Sequence, residues 1–194
     1  SSPVPHESTY RVSHGAGYTR FEHIRHDIGS RMTVFVPPDD PLKIVQVTLG
    51  NRSDRQRRLT LTYYAEWVLG TRREETGQYI QPAFLAEQRA LIAANPYNPD
   101  WPEQIAFLAT DTPVHGYTTD RSEFLDRQRG LEKPAALKRV GLTNRVEPGR
   151  DPCAALQVYV DLPASGEQTV TFFLGAENNF DAALTLLNQY QKPD

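Results

Sequence analysis

The chain has 194 residues, of which 39% are hydrophobic and 23% are charged, a composition that suits one sizeable globular domain with its own core. The net charge is −3, with 21 basic and 24 acidic side chains mixed along the whole length, which excludes a nucleic-acid-binding tail and a basic membrane-surface patch. No run approaches the roughly 18 apolar residues that a membrane-spanning helix needs.

Alternating apolar residues predict strands in the first third of the chain. Residues 31–36 read as one strand, which the proline-rich run 37–41 stops, and residues 42–49 read as the next. Residues 51–58 are rich in arginine and turn-forming side chains, so we expect a solvated hairpin turn there. A long strand then covers residues 59–69, and its alternate apolar side chains would face a core.

The same alternation continues towards the C-terminus. Residues 84–92 predict a hairpin that turns at 87–89, and residues 104–109 predict a further strand. Residues 156–162 and 168–174 predict a second hairpin around a Pro- and Gly-containing turn. Many short strands between turn signals predict an all-β fold of two packed antiparallel sheets.

The two ends depart from this pattern. Residues 1–9 are predicted to be a disordered or extended leader, which leaves 10–176 as the β-sandwich domain. Residues 179–191 predict an amphipathic helix, because they carry Phe180, Leu184, Leu187 and Tyr190 at helical spacing. We expect that helix to need a covering surface, and we interpret both ends as fragment boundaries.

Residues 111–152 interrupt the strand pattern with many prolines and glycines and few apolar runs. Long irregular connections in a compact domain are usually binding loops or covers for a neighbour.

Motifs for the common enzyme chemistries are absent from the sequence. We find no phosphate-binding loop, no dinucleotide-binding glycine pattern and no nucleophile elbow. His14, His23 and His26 form the one histidine cluster. In a strand, positions 23 and 26 point to opposite faces, so a shared metal is not expected; His14 and His23 are predicted to bond backbone carbonyls or to lie at an interface. The single cysteine, Cys153, is predicted to be a buried filler and fits a reducing compartment.

Carboxylates are plentiful, but a hydrolase needs two of them about 5–10 Å apart in a cleft. Glu66 and the pair Glu74 and Glu75, which follow Arg72 and Arg73, are the best candidates. The alternative is that Glu66 neutralises a neighbouring arginine and that the acidic pair lies in a solvated loop. No catalytic pair is predicted.

Residues 117–125 contain the side chains that a sugar site uses. Planar guanidinium and carboxylate groups form paired hydrogen bonds to neighbouring sugar hydroxyls, and an aromatic ring packs on the C–H face of the sugar. The candidate carbohydrate contacts are Tyr117, Asp120, Arg121, Glu123 and Phe124. The same side chains could instead anchor the loop through an arginine–carboxylate pair.

Five stretches of sequence together carry a resemblance to a known family. In order, they are residues 14–23 (HGAGYTRFEH), 34–37 (VFVP), 62–70 (TYYAEWVLG), 94–98 (ANPYN) and 120–125 (DRSEFL). Together they resemble the N-terminal β-sandwich domain of glycoside hydrolase family 94. That family comprises cellobiose- and chitobiose-type phosphorylases and the C-terminal region of cyclic β-1,2-glucan synthases. Residues 63–67 (YYAEW) and 72–75 (RREE) are most similar to the synthase branch.

The resemblance implies a galactose mutarotase-like supersandwich joined by a helical linker, here residues 177–194, to an (α/α)6 catalytic barrel. It implies that inorganic phosphate and the general acid belong to the barrel, so this domain would hold no cofactor, metal or catalytic residue. The domain would pack on the barrel, lend the 117–124 loop to the acceptor sugar and help build a homodimer. The structural or interface residues would be His14, Tyr18, Arg20, Glu66 and Trp67.

The implied ligand is a β-glucan or gluco-oligosaccharide. The implied location is cytoplasmic, with a parent protein that could be anchored in the bacterial inner membrane; no nucleic acid and no direct membrane insertion are expected.

Two other functions stay open at this point. A free-standing carbohydrate-binding module would use exposed aromatic side chains such as Tyr97, Trp101 or Tyr117. An aldose epimerase would need an acid–base pair, for which His115 with Glu66 or Glu123 is the available combination.

Overall fold

The computed structural model describes residues 9–126, 130–148 and 151–191, so most of the predicted leader lies outside the described residues. The strands are β1 (Arg11–Gly15), β2 (Tyr18–Arg25), β3 (Ile28–Phe35), β4 (Leu42–Asn51), β5 (Arg57–Glu66), β6 (Gln81–Leu85), β7 (Ala90–Ala94), β8 (Ile105–Thr110), β9 (Val114–Asp120), β10 (Pro152–Leu162) and β11 (Glu167–Glu177). The helices are α1 (Arg73–Thr76), α2 (Arg121–Leu125) and α3 (Phe180–Tyr190), with 3-10 turns at Gly77–Tyr79 and Ala135–Lys138.

The strands form two antiparallel sheets, which confirms the predicted all-β supersandwich. The large sheet has eight strands in the order β1-β2-β3-β4-β11-β8-β7-β6, and the small sheet has three in the order β5-β10-β9. The predicted hairpin at 84–92 is confirmed as β6 and β7, which pair directly.

The main core lies between the sheets and follows from the alternation within each strand. From β10, the side chains at even positions from Ala154 to Leu162 face the large sheet and are fully buried. Leu59, Leu61 and Tyr63 of β5 join them, as the alternation predicts. The predicted strand 59–69 ends at Glu66, which pairs with Cys153 near the start of β10; Leu69 then takes a left-handed backbone conformation with φ 39°.

Two predicted hairpins are wrong. β4 and β5 lie in different sheets, as do β10 and β11; β4 pairs with β11, and β5 pairs with β10. The connections after β4 and β10 therefore cross from one sheet to the other. Turn-forming residues end a strand in the same way whether the chain folds back beside itself or crosses the core, so the local sequence does not distinguish the two.

The two crossings meet at Asn51, which was predicted to lie in a solvated turn but is 3% exposed. Its side-chain amide donates to the carbonyl oxygens of Arg55 at 2.7 Å and Pro163 at 2.9 Å, and lies 3.5 Å from that of Leu162. Its side-chain oxygen accepts from the Ser53 amide at 3.1 Å and hydroxyl at 2.7 Å. We call this group the crossing junction, because it ties both inter-sheet connections together.

The predicted C-terminal helix is confirmed as α3, but its covering surface comes from this chain. Asn179 caps the helix by accepting from the Ala182 amide at 2.9 Å. Ala183, Leu186 and Leu187 pack on the outer face of the large sheet. The helix therefore does not need a second domain to bury these side chains. Among the described residues, no helix is long and apolar enough to cross a membrane.

The irregular stretch 111–152 contains strand β9, which was not predicted, and then α2 and the Ala135–Lys138 turn. Phe124, Leu125, Ala136 and Leu142 pack on Ala155 at the outer face of the small sheet. The stretch therefore serves in part as a cover for the chain's own sheet.

Candidate functional site

Four charged side chains meet at one end of the sandwich, where β5 and β9 end and β10 begins. Glu66 is the last residue of β5, Arg73 opens α1, Arg121 opens α2, and Asp151 precedes β10. We call these four side chains the charged ring. Because each belongs to a different segment, the ring joins one strand end to both short helices and to the start of the central strand of the small sheet.

Each arginine of the charged ring binds both carboxylates. Arg121 donates from Nε to Glu66 at 2.8 Å and from Nη1 to Asp151 at 3.2 Å. Arg73 donates from Nη1 to Glu66 and from Nε to Asp151 at 2.9 Å. Two guanidinium groups thus balance two carboxylates, and each guanidinium bridges both carboxylates through charge-assisted hydrogen bonds.

The electrostatics of Glu66 oppose a role as a general acid. Burial raises the pKa of Glu66, but hydrogen bonds from Tyr64 and Arg121 and the charges of Arg73 and Arg121 outweigh it, so the net pKa is lowered. The hydrogen bond to Glu66 in turn raises the pKa of Arg121. Glu66 therefore stays ionised at neutral pH.

An aromatic pair supports the charged ring from the side of the small sheet. Tyr64 and Phe124 stack with ring centroids 4.4 Å apart and an interplanar angle of 11°. The Tyr64 hydroxyl donates to Glu66 at 2.7 Å, and burial followed by this hydrogen bond raises the pKa of Tyr64. α2 is thereby fixed both by packing and by charge.

The structure places the five predicted sugar contacts in different surroundings. Phe124 is 4% exposed, and Tyr117 stacks on Phe84 with ring centroids 3.9 Å apart, so protein side chains cover both aromatic rings. Asp120 caps α2 by accepting from the Ser122 amide at 2.8 Å, and Glu123 accepts from the Thr143 amide at 2.9 Å. The predicted alternative, a loop anchored through an arginine–carboxylate pair, has its counterpart in the contacts of Arg121 with Glu66 and Asp151. Sugar contact by the five side chains stays a prediction.

The predicted structural or interface residues fall into two groups. Glu66 and Trp67 belong to the small-sheet end, where Trp67 is buried in the main core. His14, Tyr18 and Arg20 lie on β1 and β2 at the edge of the large sheet, where His14 hydrogen-bonds Thr19 and Arg20 lies over the Tyr18 ring.

The other two histidines of the predicted cluster, His23 and His26, lie in different surroundings. His23 stacks on Tyr10 with ring centroids 4.4 Å apart, whereas His26 lies in the turn after β2 with φ 50°. His26 therefore lies just beyond β2, although positions 23 and 26 were predicted to belong to one strand.

The histidine considered for an epimerase pair is engaged elsewhere. His115 stacks on Tyr159 with ring centroids 3.7 Å apart, and its Nε2 lies 3.3 Å from the Val140 carbonyl oxygen. Glu66 and Glu123 are bonded within their own networks.

Cys153 is fully buried at the start of β10, as predicted. Burial, followed by the nearby carboxylates of Asp120 and Glu66, raises the pKa of its thiol. Because the thiolate is the reactive form, a thiol-reactive disulfide reagent should label the native chain at least roughly a hundredfold more slowly than the urea-unfolded chain. Similar labelling rates in the two states would contradict this burial.

A cleft of about 500 Å³ opens beside the charged ring, between the segment after β5 and the β7–β8 connection. Tyr79, Tyr97 and Trp101 line it and are all exposed, and Tyr79 and Tyr97 form a tilted pair with ring centroids 5.2 Å apart. We call it the aromatic cleft. Tyr97 and Trp101 were predicted as exposed aromatic contacts but Tyr79 was not, since nothing local links a residue of the 3-10 turn to a loop about 20 positions later.

The chain is similar in sequence to known carbohydrate-active proteins. The family model described as glycosyl hydrolase 94, supersandwich domain, matches residues 1–193. The chain is 36% identical to the cyclic beta-(1,2)-glucan synthase NdvB of Rhizobium meliloti over 93% of this chain and 6% of that protein. It is 28% identical to the solabiose phosphorylase of Paenibacillus borealis over 95% of this chain and 24% of that protein.

The fold is also found in a solved structure of distant sequence. A polysaccharide lyase superposes with a TM-score of 0.54 and 10% identity, over 88% of this chain and 23% of the other. The chain therefore spans no more than about a quarter of these longer proteins.

Proposed function

Because the chain belongs to the glycosyl hydrolase 94 supersandwich family, we propose that it is the non-catalytic β-domain of a larger carbohydrate-active enzyme. The parent activity that we propose is that of a β-glucan phosphorylase or a cyclic β-1,2-glucan synthase. The 36% identity to NdvB supports the synthase branch.

The state of the charged ring is the observation that carries the non-catalytic assignment. Glycoside phosphorolysis and hydrolysis both need a carboxylic acid that is protonated near neutral pH, and enzymes obtain it by raising a carboxyl pKa. The pKa of Glu66 is lowered instead, and two arginines form ion pairs with both carboxylates of the ring. This arrangement is suited to holding segments together.

The remaining chemistry would come from an (α/α)6 barrel in the same parent chain. In our proposal, the barrel supplies the general acid, inorganic phosphate is the nucleophile, and the β-domain packs against the barrel in a homodimeric parent. The end of the sandwich with the charged ring is the end that we propose to face the acceptor sugar. Arg121 is one-third exposed and has five N–H groups, so it retains donors for sugar hydroxyls beyond those bonded in the ring.

Activity of this chain and of its parent tests the proposal directly. With inorganic phosphate and linear β-1,2- or β-1,4-glucans, we expect no glucose 1-phosphate from the 194-residue chain. The parent protein that includes the barrel should release it. Release of glucose 1-phosphate by the chain alone would overturn the assignment, and so would a parent that is inactive on every β-glucan.

A further inference from the structure

Three aromatic side chains share one open cleft at the end of the sandwich. Tyr97 is 71% exposed, Trp101 is 57% exposed and Tyr79 is 42% exposed. Scattered single apolar residues are normal on a protein surface, but a cluster of exposed aromatic rings in a concave site indicates a binding site. We propose that the aromatic cleft binds a glucan chain, with the rings of Tyr97 and Trp101 against the C–H faces of glucosyl units.

The backbone beneath these rings is held in place before any ligand arrives. Asn95 is 4% exposed, and its side-chain amide donates to the Leu69 carbonyl at 2.9 Å. Its side-chain oxygen accepts from the Tyr97 amide at 3.2 Å. Tyr97 is thus tied to the segment that forms the opposite wall of the cleft. A site that is already ordered loses less conformational entropy on binding.

Asn98 gives Trp101 a similar support. Its side-chain oxygen accepts from the amides of Asp100 at 3.1 Å and Trp101 at 3.3 Å, and its amide lies 3.4 Å from the Leu69 carbonyl oxygen. Leu69 has a φ of 39°, a left-handed conformation that non-glycine residues seldom adopt. The two asparagines therefore tie the segment that carries Tyr97 and Trp101 to the left-handed residue Leu69 on the facing wall of the cleft.

The polar lining suits a neutral, hydroxyl-rich ligand. Glu75, Asp100 and Gln104 line the same cleft as the aromatic rings. Carboxylate and amide oxygens accept hydrogen bonds from sugar hydroxyls, whereas the aromatic faces take the apolar side of the ring. The volume of about 500 Å³ lies within the range of about 300–1,000 Å³ typical of ligand sites.

Trp101 also lines a second hollow of about 220 Å³, together with Glu103 and Asn178. Because both hollows share Trp101, a ligand that fills them must pass the indole ring and be longer than one sugar unit. We therefore infer an oligosaccharide ligand. The choice of a β-glucan rests on the proposed function.

The distribution of tryptophan allows binding to be followed directly. The chain has two tryptophans, of which Trp67 is 5% exposed and Trp101 is 57% exposed. We expect linear β-1,2-gluco-oligosaccharides or cello-oligosaccharides to change the fluorescence of Trp101 saturably and to protect it from acrylamide quenching. Isothermal titration of the same chain should give a matching affinity.

Variants of the cleft locate the binding site. Trp101→Ala and Tyr97→Ala should each weaken glucan binding in the titration by about tenfold or more, whereas Trp101→Phe should retain part of the affinity. Tyr18→Ala removes an aromatic residue of 40% exposure from β2, next to the edge strand β1, and should bind as the wild type does. Unchanged thermal midpoints should accompany all four variants, because none of these side chains is buried.

Two results would overturn the proposal. One is the absence of saturable binding of both glucans, and the other is glucan binding that survives Trp101→Ala and Tyr97→Ala unchanged. If the parent enzyme still carries out phosphorolysis in either case, the cleft proposal fails and the proposed function stands. A cleft that contacts the barrel instead of a glucan would give no saturable binding to the isolated chain.

Discussion

Replacing Asn51 with aspartate should destabilise the chain by roughly 3–4 kcal/mol at neutral pH. The side-chain amide of Asn51 lies 2.7 Å from the Arg55 carbonyl oxygen and 2.9 Å from that of Pro163, in a site that is 3% exposed. Aspartate has the same shape, but a carboxylate oxygen would replace the donor and face two carbonyl oxygens without water to screen them. Both inter-sheet crossings depend on this one side chain.

The pH dependence of the Asn51→Asp variant provides a second signature. A carboxyl buried among acceptors is more stable protonated, so its pKa in the folded state should lie above the value of about 3.9 in the unfolded state. The loss of unfolding free energy is therefore smallest below the unfolded-state pKa of about 3.9, and it grows as the pH rises from there through the folded-state pKa. A neutral carboxyl can also restore one of the donated hydrogen bonds.

Urea unfolding of the wild type and the Asn51→Asp variant at about pH 7 and about pH 4 measures both effects. Asn188→Asp makes the same chemical change on an exposed face of α3 and should alter stability by no more than about 0.5 kcal/mol. A loss of less than about 1 kcal/mol for Asn51→Asp would mean that the crossing junction is not a main support of the sandwich.

Replacing Glu66 with glutamine should destabilise the chain by about 1–2 kcal/mol at neutral pH. Glutamine keeps the shape and one oxygen, which can still accept from Tyr64 and Arg121. Its amide group would face Arg73, donor against donor, and the two arginines would share one carboxylate instead of two. We place the magnitude low in the range for charged hydrogen bonds because the Glu66 side chain is 33% exposed and water screens it.

The sign of the pH dependence follows from the lowered pKa of Glu66. A carboxylate with a lowered folded-state pKa contributes stability above its unfolded pKa of about 4.3 and loses that contribution as the pH falls through its folded pKa. The difference in unfolding free energy between the wild type and Glu66→Gln should therefore shrink in acid. Unfolding both proteins in urea at about pH 7 and about pH 3 measures this difference.

Glu87→Gln is the matched control, since Glu87 is exposed in the β6–β7 turn and takes no part in the ion pairs of the charged ring. This variant should show little change at either pH. An advantage of the wild type over Glu66→Gln that persists undiminished in acid would contradict the role of the Glu66 charge in the ring.

The charged ring and the aromatic cleft are linked through α1, which bears on the proposed role of the domain in supporting a sugar site. Arg73 belongs to the ring, and Glu75, two residues later, lines the cleft. Strain or motion in α1 would thus affect both. The four-residue helix is short, so its position depends on the ring's ion pairs and on the hydrogen bond from Thr76 to the Arg72 carbonyl.

Features that depend on neighbouring residues were predicted well. The strands β3, β4, β7, β8, β10 and β11 and the helix α3 were located within a few residues, because their apolar periods of two and 3.6 are local properties. The motifs that resemble family 94 are also local, and the family model, which matches residues 1–193, confirms the resemblance. The identity of Cys153 as buried filler followed from its place within an apolar run.

The candidate site was only partly predicted. Glu66 and Arg121 were named for separate reasons, and Asp151 was not named at all. Arg121 and Glu66 are 55 residues apart in the chain, and Arg73 and Asp151 are 78 apart. A charged side chain has no local signature that identifies so distant a partner, so the ring became visible only in the folded chain.

The sequence alone therefore determined the fold class, the family and the positions of most strands, since all three depend on side-chain patterns along the backbone. Only the tertiary structure decided that β10 pairs with β5 instead of β11, and that Tyr117 and Phe124 turn inward whereas Tyr97 and Trp101 stay exposed. The reason is physical: a strand's alternation specifies that one face is buried, but the packing of distant strands determines which partner lies beside it and which aromatic rings remain open to a ligand.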